Sequence, residues 1–167
     1  MRSPGGESRR SPVPIPLERA VTLDEPEMTS RYRTALRRAV APDGAAAADA
    51  VVWVDAGAEL LVRPEQATIA CLDGLLLVAI PVFTEQTSEA ELVVPFAVGG
   101  AHAPAGMLMA TETRPRGPAI VVDRWAEPVT AAAWEALVAL AVDAAAPASP
   151  RALSAATGAL TVVRERA

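Results

Sequence analysis

Two two-residue spacings, and a third turn centred on glycine, fix most of what this chain can fold into. The β-like runs Thr68–Leu72 and 75–83 are separated only by Asp73-Gly74. Asp-Gly between two apolar runs is the signal of a tight β-hairpin, because Gly accepts the positive φ of a type I′ turn. Ala56-Gly57 separates Val51–Asp55 from Ala58–Val62 in the same way, and 151–154 and Ala159–Arg164 lie around Thr157-Gly158 as a last hairpin. Strands joined by two residues run antiparallel. Residues 91–98, 107–113 and 119–123 continue the strand-like pattern and leave little room for crossover helices. The expectation is a mainly antiparallel, bent β-meander of about six to seven strands in one sheet, closed by a C-terminal hairpin. Residues 75–82 are nearly continuous apolar side chains, as in a central strand covered on both faces.

Two helices frame the meander. Asp24 is a good N-cap, Glu27 follows at capping-box spacing, and Pro26 fits the first turn. Met28, Tyr32, Ala35, Leu36, Ala39 and Val40 recur at helical spacing, and 42–44 (Pro-Asp-Gly) ends the helix. A second, long helix is expected from Pro128 or Thr130 to Ala145, with Trp134, Leu137, Val138 and Ala141 on one face and Pro147 and Pro150 beyond it. Residues 1–23 read as a disordered Pro/Arg-rich leader, in which 12–16 (Pro-Val-Pro-Ile-Pro) favours an extended polyproline conformation. Residues 24–167 then form a single α+β domain: helix, meander, covering helix, hairpin.

Composition narrows the chemistry. The 167 residues contain one histidine, His102, one cysteine, Cys71, and no lysine or asparagine, while all fifteen basic residues are Arg. GC-rich bacterial codon usage accounts for the missing Lys and Asn, but codon bias alone does not remove His and Cys. Those are the side chains that do most proton transfer, nucleophilic attack and metal ligation near neutral pH, so the composition argues against most enzyme classes. Structural zinc needs four N or S ligands, and no cofactor or metal site is predicted. Residues 1–40 carry eight Arg against five acids, +3; residues 41–167 carry seven Arg against fifteen acids, −8. An acidic body repels nucleic acid and phospholipid surfaces. With no apolar export signal and no uninterrupted apolar stretch of membrane-spanning length, a cytoplasmic protein is expected.

Some residues still invite a site. Cys71, inside an apolar run, reads as a reduced core thiol. His102 lies between glycines on an exposed loop without a neighbouring partner for general-base work. Asp55, Glu59, Asp73, Glu112 and Asp123 fall near strand ends, where paired carboxylates could support hydrolysis. Met107, Met109 and Trp125 could line an apolar pocket. The stronger candidates are arginines suited to protein contacts: Arg31, Arg37 and Arg38 on the first helix, and Arg114 and Arg116 on a stiff Pro/Gly loop.

These features favour a non-catalytic protein-interaction or assembly subunit, chaperone-like or an accessory component of a bacterial multiprotein complex. Its partner is another protein or a second copy of the chain. The alternative is a small-molecule-binding domain or carboxylate-based hydrolase with an apolar pocket. In element order the chain resembles small acidic secretion chaperones, a resemblance of architecture alone that implies an assembly role.

Overall fold

The computed structural model describes residues 19–41, 50–100, 109–110 and 114–165. The three turns form where their sequences place them. Asp73-Gly74 joins β4 (Thr68–Leu72) to β5 (Leu75–Thr84), and Ala56-Gly57 joins β2 (Val51–Asp55) to β3 (Ala58–Val62). Ala56 and Gly57 both take positive φ, 48° and 83°, as a type I′ turn requires; at Asp73-Gly74 only the glycine does, at 71°, so that hairpin closes without the type I′ geometry its sequence suggests. β6 (Ser88–Ala97) pairs with β5 along its whole length, from Leu75↔Ala97 to Thr84↔Ser88. The polar stretch before β6 is shorter than the sequence suggests. A turn over 85–87 is locked by the Thr84 and Thr87 hydroxyls, 2.6 Å apart, and by the Thr87 N–H donating to Thr84 Oγ1. Glu89 and Glu91 therefore lie on a strand. β7 (Met109–Ala110) pairs with the far edge of β6; the rest of the expected strand, 107–108 and 111–113, lies outside the described residues.

β3 and β4 share one edge of β5. β3 meets its C-terminal half at Val62↔Val82, and β4 meets its N-terminal half from Thr68↔Ala79. Between those pairs β3–β4 has residues 63–67 where β5 has only 80–81, so three extra residues leave the edge. Pro81 has no N–H to offer there; its carbonyl accepts from the Arg63 N–H at 3.0 Å. The extra residues turn through a 3-10 helix, Pro64–Gln66, and the Arg33 Nε–H donates to the Ala67 carbonyl at 2.7 Å.

α1 (Glu25–Val40) begins as expected: Asp24 caps it, its side chain accepting from the Glu27 N–H at 2.9 Å. Met28, Tyr32, Ala35, Leu36 and Val40 are buried. α2 (Ala119–Ala145) corrects the sequence reading, because residues 119–123 are its first turns, not a strand. Val121, Trp125 and Val129 are buried at i, i+4 and i+8, so the helical period runs straight through Pro128. The proline removes one N–H from the ladder, and burial of this face offsets that loss. By length and composition α2 is apolar enough to cross a membrane, yet half of its most apolar window is buried in the fold.

Residues 20–23 also depart from expectation. They are not leader but part of β1 (Ala20–Asp24), which pairs with β9 (Ala159–Arg164) from Ala20↔Val163 to Asp24↔Ala159. β9 pairs in turn with β8 (Pro150–Ala156). The nine strands among the described residues thus form two antiparallel sheets, β1-β9-β8 and β2-β3-β5-β6-β7 with β4 on β5, instead of one. The sheets are sewn together where Gly74 N–H donates to Ala155 O (3.1 Å), Ala155 N–H to Gly99 O (2.7 Å) and Gly158 N–H to Cys71 O (3.1 Å). Both helices pack against each other and against strands of the two sheets. The mixed α+β class, the N-terminal helix, the long covering helix and the C-terminal hairpin stand as expected. The leader proper at 1–18, the expected helix stop at 42–44, His102, Met107 and Glu112 lie outside the described residues.

Candidate interaction surface

The arginines singled out by sequence sit on separate elements. Arg31 reaches Asp143 of α2, Nη1 to Oδ2 at 2.8 Å, and Glu27 one turn back, Nη2 to Oε1 at 3.0 Å. Arg37 pairs with Glu65 of the 3-10 turn. These two tie α1 to its own surroundings. Arg38 is exposed and forms no ion pair among the described residues. Arg114 lies 3.9 Å from Asp123, both largely exposed, an arrangement of small energetic weight. Arg116 exchanges two 2.9 Å backbone hydrogen bonds with Val93, laying its loop along the β6 edge. Arg124, not a candidate from sequence, donates to the Asp55 carbonyl at 3.0 Å and approaches its carboxylate at 3.5 Å.

What the sequence missed is the outer face of the six-stranded sheet. Leu76, Val78, Ile80 and Val82 of β5 are buried against the helices, but Leu75, Leu77, Ala79 and Pro81 on the opposite face are only half-buried. The expected double coverage of this strand is therefore incomplete. Residues directly opposite across a pair share a face, so Val93, Pro95 and Ala97 of β6 continue the apolar surface beside Ala79, Leu77 and Leu75. Leu72 stands opposite Leu75 and is 45% exposed. At the other end Val52 and Val54 of β2, 53% and 66% exposed, extend it beside Leu61 and Phe83. Glu59, Glu89 and Glu91 share this face and give it an acidic rim. Their spacing was the available signal: Glu89 and Glu91 on one parity of β6 assign that parity to the outside, and Leu92, Val94 and Phe96 to the core.

Among the described residues β2 ends the sheet order. In a two-residue hairpin the closing pair, here Asp55 and Ala58, exchanges both hydrogen bonds, and alternate pairs do the same. Trp53 and Val51 then bond to β3, while Val52 and Val54 turn their N–H and C=O groups to the open edge. Trp53 is fixed underneath, its indole N–H donating to Val40 O at 3.2 Å and its ring 6.4 Å from that of Trp125.

The chemical candidates take structural places. Cys71 is buried with Sγ 3.4 Å from Met28 Sδ. Burial, with a contribution from the charge of Glu25, pushes its thiol up to about 11. Tyr32 is fully buried, donates to Ala133 O at 3.1 Å, and has its phenol pushed above its ordinary value by burial. Trp125 is core. Asp55 and Asp123 each face an arginine. An apolar cleft between α2 and β8 is lined by Trp134, Val138 and Leu153 and holds about 170 Å³, below the range of pockets that enclose small-molecule ligands. A larger groove, about 830 Å³, runs open along the polar side of α1. Among the described residues no three metal-ligating side chains cluster. Compared with known protein families, curated proteins and solved structures, the chain shows no match.

Proposed function

We propose that this chain is a non-catalytic assembly subunit that works by binding protein through the outer face and open edge of its six-stranded sheet. The observation that carries the reading is the apolar face itself, continuous from Leu72 and Leu75 at one end to Val52 and Val54 at the other, with a rim of carboxylates. Contiguous exposed apolar surface with a polar rim is the usual mark of a protein-binding site. The charged rim favours orientation and association rate over affinity.

The test compares full-length protein with L72E/L75E in affinity capture from its native lysate, read by quantitative mass spectrometry. These two positions face each other on the outer side of the β4–β5 hairpin, so carboxylates there poison the face and spare the core. Partners retained in stoichiometric amount by the parent and lost by the variant are expected. Identical recoveries, with both proteins folded by circular dichroism, would overturn the reading.

A further inference from the structure

We propose that this chain assembles by exchanging an arm: residues 12–17 of one copy add as an antiparallel strand to the open edge of β2 in a second copy. The inference rests on the assembly reading above and names its partner.

Among the described residues nothing pairs with this edge of β2, which is ready for a strand. Val52 and Val54 direct their backbone donors and acceptors outward, and β2 carries none of the prolines or bulges with which edges are normally blunted. The arm is suited to this edge by the period of its prolines. Pro12, Pro14 and Pro16 alternate with Val13, Ile15 and Leu17. In an extended strand successive residues turn their N–H and C=O groups to opposite sides, so every donor of this stretch lies on the side of Val13, Ile15 and Leu17. The other side has no N–H at all. Such a segment can pair along one edge only, and it closes the sheet instead of passing the edge on.

Charge selects the direction. Antiparallel pairing with Val13 opposite Val54 and Ile15 opposite Val52 carries Arg9 and Arg10 to the Ala56-Gly57 tip. There a cavity of about 650 Å³ is lined by Glu59 and Glu85 beside Arg124. Parallel pairing would bring Glu18 to the same carboxylates. In the antiparallel register Val13 and Ile15 fall on the face of Val54 and Val52, lengthening the apolar surface by one strand.

Reach selects the second copy. β2 lies beside Trp125, through Trp53. Ala20 pairs with Val163, Val163 with Ala152, and Ala152 lines the cleft formed with Val138 and Ala141 of α2. Trp125 and Val138 are thirteen residues apart on α2, about 20 Å along the helix axis. Leu17 would stand opposite Ala50, and the three steps from Leu17 to Ala20 span at most about 10 Å. The arm falls short of its own β2 and meets another's. Reciprocal exchange closes a two-fold dimer.

The test mixes two full-length variants, I15C and V52C, under mild oxidation. Hydrogen-bonded antiparallel neighbours have Cα atoms about 5.5 Å apart, within disulfide range, and native Cys71 is buried. The expected product is a two-chain species joining I15C to V52C, absent when I15C is mixed with S30C on exposed α1. A V13P/I15P variant, which removes two of the donors, should shift the sedimenting mass from two chains to one. No cross-link, equal cross-linking to S30C, or an intrachain disulfide as the product of the I15C/V52C double variant would overturn the exchange. If the exchange fails while L72E/L75E still loses its partners, the assembly reading stands without it.

Discussion

Burial sets the chemistry of the two titratable side chains at the centre of the molecule. The Cys71 thiol, pushed up to about 11, and the Tyr32 phenol, raised by desolvation, both hold their protons more tightly in the folded chain. A group that binds its proton better when folded contributes its full stability below its unfolded pKa and loses it as pH rises above that value. For the thiol this window opens near 9 and closes near 11; for the phenol it opens near 10. The urea midpoint should accordingly hold steady to about pH 8 and fall by pH 10.5. Cys71→Ala should remove only the thiol's share of that slope. Iodoacetamide at pH 8 should leave the native thiol unmodified and label it only in denaturant, since the thiolate is the reactive form. Modification at the rate of a free thiol would contradict the buried placement.

At the scale of elements, the most local signals were the most legible. The Asp24 cap, the apolar stripe of α1 and three Gly-containing turns act within four residues, and the chain follows them. Replacing Asp24 by Ala should cost about 1 kcal/mol, read as a lowered chemical-denaturation midpoint at unchanged slope. What the sequence concealed depends on partners far along the chain. Residues 119–123 look like a strand taken alone, and become helix because Val121 and Trp125 reach the core on the same face as Val129 and Leu137. β1 looked like the end of a leader because its pairing partner, β9, lies 139 residues away at Thr22↔Thr161. The candidate surface was half visible for a related reason. The arginines of α1 stood out in the sequence, but two of them answer to Glu65 and Asp143. The apolar face was hidden because a run such as 75–82 does not say which of its two sides will be covered.

The whole molecule is one shell because its two sheets share hydrogen bonds. The links from Gly74 to Ala155 and from Ala155 to Gly99 bind the C-terminal hairpin to the β4–β5 turn and to the segment after β6, and Tyr32 ties α1 to α2. Unfolding should therefore be a single transition, with tryptophan fluorescence from Trp53, Trp125 and Trp134 coinciding with far-ultraviolet circular dichroism. Separate midpoints would show that β1-β9-β8 melts independently of the larger sheet. The same continuity gives the detour at residues 63–67 a meaning for how this chain can change. A residue gained or lost at the Ala56-Gly57 turn would flip every side chain of β2 to the wrong side of its sheet. Residues 63–67 already leave the edge of β5 between two fixed pairings, so a change of length there spares the parity of β3 and β4 and falls on the turn's own contacts, the Arg33 bond to Ala67 O and the Arg37–Glu65 pair. Like a pleat in cloth, that short helical turn is where length can vary while the fold around it keeps its register.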